Sequence, residues 1–352
     1  MPSGGEGKRM SAGLAITDTA RLERWLGSVV PGVRGPLSVT KFPDGQSNPT
    51  YRIDTGGASF VLRRKPPGDL LPSAHAIDRE YRVLGSLHGR GFPVPCPIAF
   101  CEDETVIGTA FFVMEMVEGR TLWDGTLPGL APDARRVVYE AMVATLARLH
   151  SFDPSAVGLG DFGRTGNYVE RQVQRWTKQY RATQTDDIPE MERLMEWLPR
   201  SIPEQSRIAV IHGDYRIDNI IFRPDAPQVA AVLDWELSTL GDPLADFAYF
   251  AMNWVAPSDG RAGVDGVDLK TAGIPTLDEI CARYCEATGR SRLPHLGWYF
   301  AYNFFRLASI VQGIKKRMIE GNASSSQAAD TVSRLERCVH LAWQQAQLAG
   351  AQ

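Results

Sequence analysis

The chain has 352 residues, a formal net charge of −3 and 43% hydrophobic residues. This length exceeds what a single hydrophobic core usually fills and predicts two lobes. The sequence has no concentrated basic tract, which argues against a nucleic-acid partner, and no apolar run long enough to cross a membrane. Residues 1–15 lack the apolar core of a signal peptide and are expected to be disordered. Five cysteines without a secretion signal predict reduced thiols, so we expect a cytoplasmic protein.

Short runs rich in β-branched and aromatic residues predict three successive strands early in the chain: 37–42, 49–55 and 58–66. Gly56-Gly57 marks a hairpin between the last two strands. The loop 43–49 joins the first two strands and could cover phosphate groups with its backbone N–H groups and the side chains of Ser47 and Asn48. An ordinary hairpin turn explains the loop nearly as well, because it has a single glycine.

A basic run ends the third predicted strand. Arg63 is the candidate for binding phosphate groups, because a guanidinium suits their geometry, and Lys65 is an alternative. Residues 73–91 predict a helix with an apolar stripe, and Glu80 lies in the middle of it. By the pattern alone, Glu80 is an ordinary exposed helical glutamate.

A buried strand predicted at 109–122 leads out of the first lobe. Most of the remaining chain has apolar residues at spacings of three and four and predicts helices: 131–151, 168–183, 188–200, 243–254, 276–288, 292–319 and 325–348. The stretch 256–268 is rich in glycine and aspartate and predicts a long loop. This loop could be a lid over a substrate or a mobile surface loop.

The segment HGDYRIDN, residues 212–219, interrupts this helical pattern. Around it the sequence predicts a buried strand at 207–211 and a hairpin with arms at 219–224 and 229–235. Such a hairpin would return Asp234 towards Asn219, so that both could bind one cation while Asp214 stays available for a hydroxyl group. Phosphoryl transfer requires one carboxylate for the hydroxyl proton, and an amide and a second carboxylate for magnesium.

Each of these side chains also has an ordinary explanation. Asp214 could cap a turn, Asn219 could be a loop amide and Asp234 could end a strand. Two other functions stay open. A metallohydrolase would need several converging histidines, whereas the chain has six scattered ones. A nucleotide-binding pseudokinase would keep the fold without the chemistry.

The segment 212–235 and its continuation WELSTLGDPLADFAYF, 235–250, resemble the aminoglycoside phosphotransferase and choline kinase family, small-molecule relatives of the protein kinases. The resemblance implies an α+β, two-lobed protein-kinase-like fold. Residues 16–118 would form a nucleotide-binding lobe with an antiparallel sheet and one helix. Residues 119–352 would form a mainly helical lobe with a short catalytic hairpin, which carries the catalytic residues and binds the acceptor.

The resemblance also implies roles for the central residues. Asp214 matches the catalytic base, and Asn219 and Asp234 match the Mg²⁺ ligands. Asp246 is similar to a buried carboxylate that holds the catalytic loop, although a first-turn helix carboxylate is the simpler explanation. His212 would hold the loop by hydrogen bonding without taking part in the chemistry.

On the nucleotide side, the resemblance implies that Arg63 pairs with Glu80 and with the phosphates of ATP, with GTP left open. Family members often have lysine where this chain has Arg63, which is a departure from the pattern. The run Glu115-Met116-Val117 resembles a hinge that binds adenine through backbone atoms, chiefly at Glu115 and Val117.

The acceptor is less well specified by the sequence. Eleven residues separate Asp234 from Asp246, which leaves no room for a peptide-binding activation loop. The run 60–84 resembles the kinase-like domain fused to some acyl-CoA dehydrogenases, which implies a hydroxylated acyl or acyl-CoA acceptor. An aminoglycoside- or choline-type kinase with another acceptor is the alternative. Candidate residues for the acceptor wall are Tyr168, Arg171, Arg175, Trp298, Tyr302, Asn303 and Arg306.

Overall fold

The structure is a computed structural model, and it describes residues 16, 19–31, 33, 35–42, 48–66, 76–321 and 327–352. The described residues form two compact units. The first unit contains the chain up to Arg120 together with 221–224 and 230–238. The second unit contains 121–220, 225–229 and the chain from Thr239 onwards. The sequence predicted that all of residues 119–352 belong to the second lobe. In the structure, residues 230–238 pack within the first unit.

The first unit is built on a five-stranded antiparallel sheet. Its strands are β1 (Ser38–Lys41), β2 (Thr50–Asp54), β3 (Ser59–Arg64), β4 (Pro97–Cys101) and β5 (Phe111–Glu115), in the order β1-β2-β3-β5-β4. The three strands predicted first, and the hairpin at Gly56-Gly57, are confirmed. Strand β4 was not predicted; it begins at Pro97, and Pro93 and Pro95 precede it, a proline density that is typical of loops.

Two helices accompany this sheet where the sequence predicted one. Helix α1 (Thr19–Val29) was not predicted, and helix α2 (Ile77–His88) lies within the predicted range 73–91. Leu22 and Leu26 of α1 are fully buried in a core with residues of the sheet. The phosphate contact predicted for Ser47 and the disorder predicted for 1–15 both lie outside the described residues.

The pleat of β3 places Arg63 and Leu62 on opposite faces of the sheet. Arg63 pairs with Thr50 of β2 and Phe112 of β5. Its neighbour Leu62 points to the opposite face and is fully buried in the core that contains α1. The pleat therefore places Arg63 on the face away from α1.

The second unit is mainly helical. Its helices are α3 (Pro132–Ser151), α4 (Tyr168–Thr183), α5 (Pro189–Arg200), α6 (Pro243–Ala251), α7 (Leu269–Ala272), α8 (Leu277–Thr288), α9 (Leu296–Ile319), α10 (Gln327–Val332) and α11 (Leu335–Leu348). The predicted helices are confirmed with small changes at their ends, and the short α7 is an addition. Predicted helix 243–254 continues after α6 as a 3-10 turn at Met252–Trp254, and predicted helix 325–348 is divided into α10 and α11.

Short strands surround the central segment. They are β6 (Arg120–Thr121), β7 (Ala209–Ile211), β8 (Ile220–Phe222), β9 (Val229–Val232) and β10 (Thr239–Gly241). Strand β7 pairs with β10, and the predicted hairpin forms a small sheet in the order β6-β8-β9. In the described part of the chain, no helix combines the length and apolar character needed to cross a membrane.

Candidate active site

The turn after β7 is held by a buried carboxylate. β7 is buried throughout, and Gly213 follows with a φ of 84°, a conformation that a residue without Cβ adopts easily. The backbone N–H groups of His212 and Gly213 donate to the two carboxylate oxygens of Asp246, each at 2.8 Å. Asp246 thereby fixes the backbone immediately before Asp214. The role implied for Asp246 by the family resemblance fits this geometry.

Two histidines complete the support of this turn. His150 of α3 is buried, and its Nε2 lies 3.1 Å from an oxygen of Asp246 while its Nδ1 lies 2.7 Å from the hydroxyl of Tyr284. His212 Nδ1 accepts a hydrogen bond from the N–H of Asp214 at 3.2 Å. Burial alone would raise the pKa of Asp246, but its hydrogen bond to His150 and its interactions with both histidines lower it.

Asp214 itself is contacted by three side chains. The hydroxyl of Tyr249 donates to Oδ1 at 2.6 Å, and Asn219 Nδ2 donates to Oδ2 at 3.1 Å. Arg216 Nε forms an ion pair with Oδ1 at 3.3 Å. The 3-10 turn Ile217–Asn219 brings Asn219 back, and its amide also bonds the backbone oxygen of Asp214 at 2.9 Å. The turn therefore places the amide of Asn219 beside the carboxylate of Asp214.

Two residues near Asp214 were not predicted in these positions. Tyr249 follows Asp246 by three residues on α6, so both side chains lie on one helix face, and this spacing was the available signal. Arg306 of α9, predicted for the acceptor wall, donates to the backbone oxygen of Gly213 at 2.7 Å, a contact between residues 93 positions apart. Such a distant contact leaves no local pattern in the sequence.

In the first unit, Arg63 lies among three carboxylates. Its Nε is 2.9 Å from Glu80, and its Nη2 is 2.8 Å from Asp234 and 3.4 Å from Glu236. Glu80 is buried, so the ordinary exposed glutamate is ruled out for this position. Burial would lower the pKa of Arg63, but the surrounding carboxylates raise it and the guanidinium stays charged. Burial raises the pKa of Glu80 to about 7, and Arg63 opposes that rise.

Asp234 has an unusual backbone conformation. Its φ of 63° and ψ of 62° lie in the left-handed region, which costs a residue with a Cβ about 1–3 kcal/mol. The next residue, Trp235, holds the turn, because its ring is buried edge-on against Phe92 and its Nε1–H donates to the oxygen of Val232. Strain of this kind concentrates at functional sites.

The other predicted nucleotide contacts lie in the first unit. Asn48 is buried and its amide donates to Glu236 at 3.3 Å, beside the Arg63 cluster. Glu115 ends β5, and its carboxylate accepts a hydrogen bond from the backbone N–H of Cys96 at 3.2 Å. Val117 follows two residues later. The adenine contacts expected at Glu115 and Val117 stay predictions.

Most of the candidate acceptor wall proves to be core. Five of the seven candidates are buried: Tyr168, Trp298, Tyr302, Asn303 and Arg306. The guanidinium of Arg171 donates hydrogen bonds to the backbone oxygens of Arg164 and Gly166. The guanidinium of Arg175 lies over the ring of Trp176. The sequence offered these residues as candidates only, and helical periodicity alone did not distinguish buried polar residues from residues that line a pocket.

Asn219 and Asp234 each carry an oxygen of the kind that binds magnesium. Among the described residues, Asn219 uses its Nδ2 for Asp214 and has no donor on Oδ1, and Asp234 Oδ2 accepts no hydrogen bond. A hard cation such as Mg²⁺ binds amide and carboxylate oxygens of this kind, with phosphates and water completing its shell. No group of three or more His, Cys, Asp or Glu in the described chain could hold a metal by itself. That Asn219 and Asp234 share one ion stays a prediction.

Comparison with known proteins agrees with this arrangement. The model of the phosphotransferase enzyme family matches residues 38–289. Acyl-CoA dehydrogenase family member 10 of Mus musculus is 46% identical over 333 residues, which cover 94% of this chain and 31% of that protein. A crystal structure of a proposed aminoglycoside phosphotransferase from Ralstonia eutropha has a TM-score of 0.86 at 45% identity, covering 94% of this chain and 98% of that one. Spectinomycin phosphotransferase, crystallised with ADP and spectinomycin, shares the fold with a TM-score of 0.62 at 12% identity, covering 93% of this chain and 98% of that one.

The sheet of the first unit and the helices of the second define the α+β, protein-kinase-like fold of small-molecule phosphotransferases. The chain belongs to the phosphotransferase enzyme family. The expected resemblance to the kinase-like part of acyl-CoA dehydrogenase relatives is also confirmed. The chain spans about a third of the length of the relative from Mus musculus.

We predict that Asp246→Asn lowers the free energy of unfolding at pH 7 by about 3 kcal/mol, because charge-assisted hydrogen bonds to two backbone N–H groups are lost. The folded state holds the pKa of Asp246 below its ordinary value of 3.8. The stabilisation is therefore present above that pH and is lost as the pH falls through the folded-state value. Thermal unfolding of both proteins from pH 7 to pH 3 should show curves that converge in acid.

Asp278→Asn is the matched control, because Asp278 occupies the first turn of α8 and is exposed. It should change the melting temperature little at any pH. An Asp246→Asn protein as stable as the wild type at pH 7 would show that the carboxylate does not hold the turn.

Proposed function

We propose that the protein transfers the γ-phosphate of ATP, with magnesium, to a hydroxyl group of a small molecule. The observation that carries this proposal is the fixed carboxylate of Asp214, oriented by Tyr249 and Asn219 in a member of the phosphotransferase enzyme family. A carboxylate held in this way can accept a proton from an attacking hydroxyl without first reorganising its surroundings.

In this proposal Asp214 is the catalytic base. It orients the acceptor hydroxyl and takes its proton as the oxygen attacks the γ-phosphorus. Asn219 and Asp234 are the magnesium ligands, and the ion neutralises phosphate charge when bound. Two oxygens without a hydrogen-bond donor among the described residues, Oδ1 of Asn219 and Oδ2 of Asp234, support this assignment.

Arg63 is proposed to bind the phosphates of the nucleotide. Its ion pair with Glu80 supports the role, because Glu80 holds the guanidinium at the end of β3. Asn48 and Ser47 are proposed to contact the phosphates, and the backbone at Glu115 and Val117 to contact the base. ATP is the proposed donor, and GTP is an alternative that a comparison of the two nucleotides would distinguish.

The proposed acceptor is a hydroxylated acyl or acyl-CoA compound. The support is the 46% identity to a protein named as an acyl-CoA dehydrogenase family member, of which this chain matches 31%. An aminoglycoside-type acceptor is the second candidate, since a structure at 45% identity bears that name. A cytoplasmic location is part of the proposal, and five free cysteines fit a reducing compartment.

Asp214→Asn is predicted to lower kcat for phosphoryl transfer about 10²- to 10⁴-fold, because an amide cannot accept the hydroxyl proton. ADP formation from MgATP with a panel of hydroxylated acyl compounds and aminoglycosides measures the effect. Asp225→Asn in the exposed hairpin turn is the control and should leave kcat unchanged. Wild-type kcat in Asp214→Asn would assign the base to another residue.

Arg63→Gln is predicted to raise KM for ATP about 10- to 100-fold, since a charged contact to phosphate is lost. The same change at Lys65 tests the alternative assignment and should leave KM for ATP within about twofold of the wild type. Steady-state kinetics at saturating acceptor separates the two. A larger effect at Lys65 than at Arg63 would reverse the assignment.

A further inference from the structure

Tyr249 is the partner closest to Asp214. The phenol oxygen lies 2.6 Å from Oδ1 of Asp214, which is the length expected for a hydroxyl donating to a carboxylate. Burial and the neighbouring Asp214 raise the pKa of Tyr249, so the phenol keeps its proton and remains a donor. The contact is thus a hydrogen bond donated from α6 to the proposed base.

The polar contacts of Asp214 are divided unevenly between its two oxygens, because an ion pair adds to the hydrogen bond on one of them. Oδ1 is contacted by Tyr249 and by Arg216, whereas Oδ2 accepts one hydrogen bond, from Asn219, within the described chain. A carboxylate oxygen has two lone pairs. Oδ2 therefore keeps one lone pair, and a hydroxyl group could donate to it without displacing Tyr249.

Arg306 fixes the phenol and the turn together. Its guanidinium lies 4.9 Å from the centre of the Tyr249 ring, within the range of a cation–π contact. The same guanidinium donates to the backbone oxygen of Gly213, the residue before Asp214. A single buried arginine thus holds both ends of the Tyr249–Asp214 hydrogen bond.

We infer that Tyr249 is a positioning residue that fixes the plane of the Asp214 carboxylate and reserves Oδ2 for the acceptor hydroxyl. This inference rests on the proposed function, because it assigns the proton to one oxygen of the proposed base. Losing the phenol hydroxyl would free the carboxylate to rotate, so fewer enzyme molecules would present Oδ2 correctly. Binding of nucleotide would be unaffected, since Tyr249 acts through Asp214.

The test uses hydrolysis of MgATP, with water as the acceptor, because water is available in every assay. Water attacks the γ-phosphorus, the bond from that phosphorus to the bridging oxygen breaks, ADP leaves and the proton of water passes to Asp214. Tyr249→Phe should lower kcat about 10- to 100-fold with KM for ATP within about twofold of the wild type.

Tyr299→Phe is the matched control. The hydroxyl of Tyr299 donates to Asp242, also buried and also at 2.6 Å, but on a carboxylate that caps α6 and not on Asp214. Both phenylalanine variants lose one buried hydrogen bond from tyrosine to aspartate, and their melting temperatures should fall by similar amounts. The kcat of Tyr299→Phe should equal that of the wild type.

A double variant distinguishes positioning of Asp214 by Tyr249 from a general disturbance of the fold. If Tyr249 acts through Asp214, adding Tyr249→Phe to Asp214→Asn should lower kcat no further. Independent, multiplying losses would overturn the inference, as would wild-type kcat in Tyr249→Phe or an equal loss in Tyr299→Phe. A wild-type protein that releases no ADP from MgATP, with or without acceptors, would overturn the proposed function and this inference together.

Discussion

The paired hydrogen bonds from His212 and Gly213 to Asp246 are the constraint on which the backbone geometry before Asp214 depends. A carboxylate buried without partners would be costly, so its two backbone donors and His150 are obligatory contacts. They fix the backbone just before Asp214. Asp246 and Tyr249 lie on one face of α6. This helix therefore holds the backbone of the turn through Asp246 and the side chain of Asp214 through Tyr249.

In the first unit, a buried cation, the guanidinium of Arg63, is likewise held by groups of opposite charge. Arg63 is held by Glu80 on one side and by Asp234 and Glu236 on the other, so a strand, a helix and a turn meet at one guanidinium. These contacts help to hold residues 230–238, the end of the hairpin and the turn after it, within the first unit. Arginine suits this position better than lysine, because its several N–H groups can meet separate carboxylates at once.

Local patterns in the sequence predicted the strands β1 to β3, most helices and the hairpin of β8 and β9. These features depend on residues close together in the chain, where periodicity and turn chemistry act. Strand β4 was missed because its prolines suggested a loop, and α1 was not recognised. The contact of Arg306 with Gly213 joins residues 93 positions apart and follows only from packing. Helical spacing alone likewise could not show whether Tyr302 and Asn303 are buried or line a pocket, and the structure buries both.

Phosphoryl transfer to a hydroxyl group is the central claim, and the product spectrum tests it most directly. Phosphorus NMR of MgATP incubated with the wild-type protein and hydroxylated acyl compounds should show a new phosphomonoester resonance that grows in step with ADP. An unchanged ATP spectrum with every acceptor, or cleavage of ATP to AMP and pyrophosphate, would contradict the account.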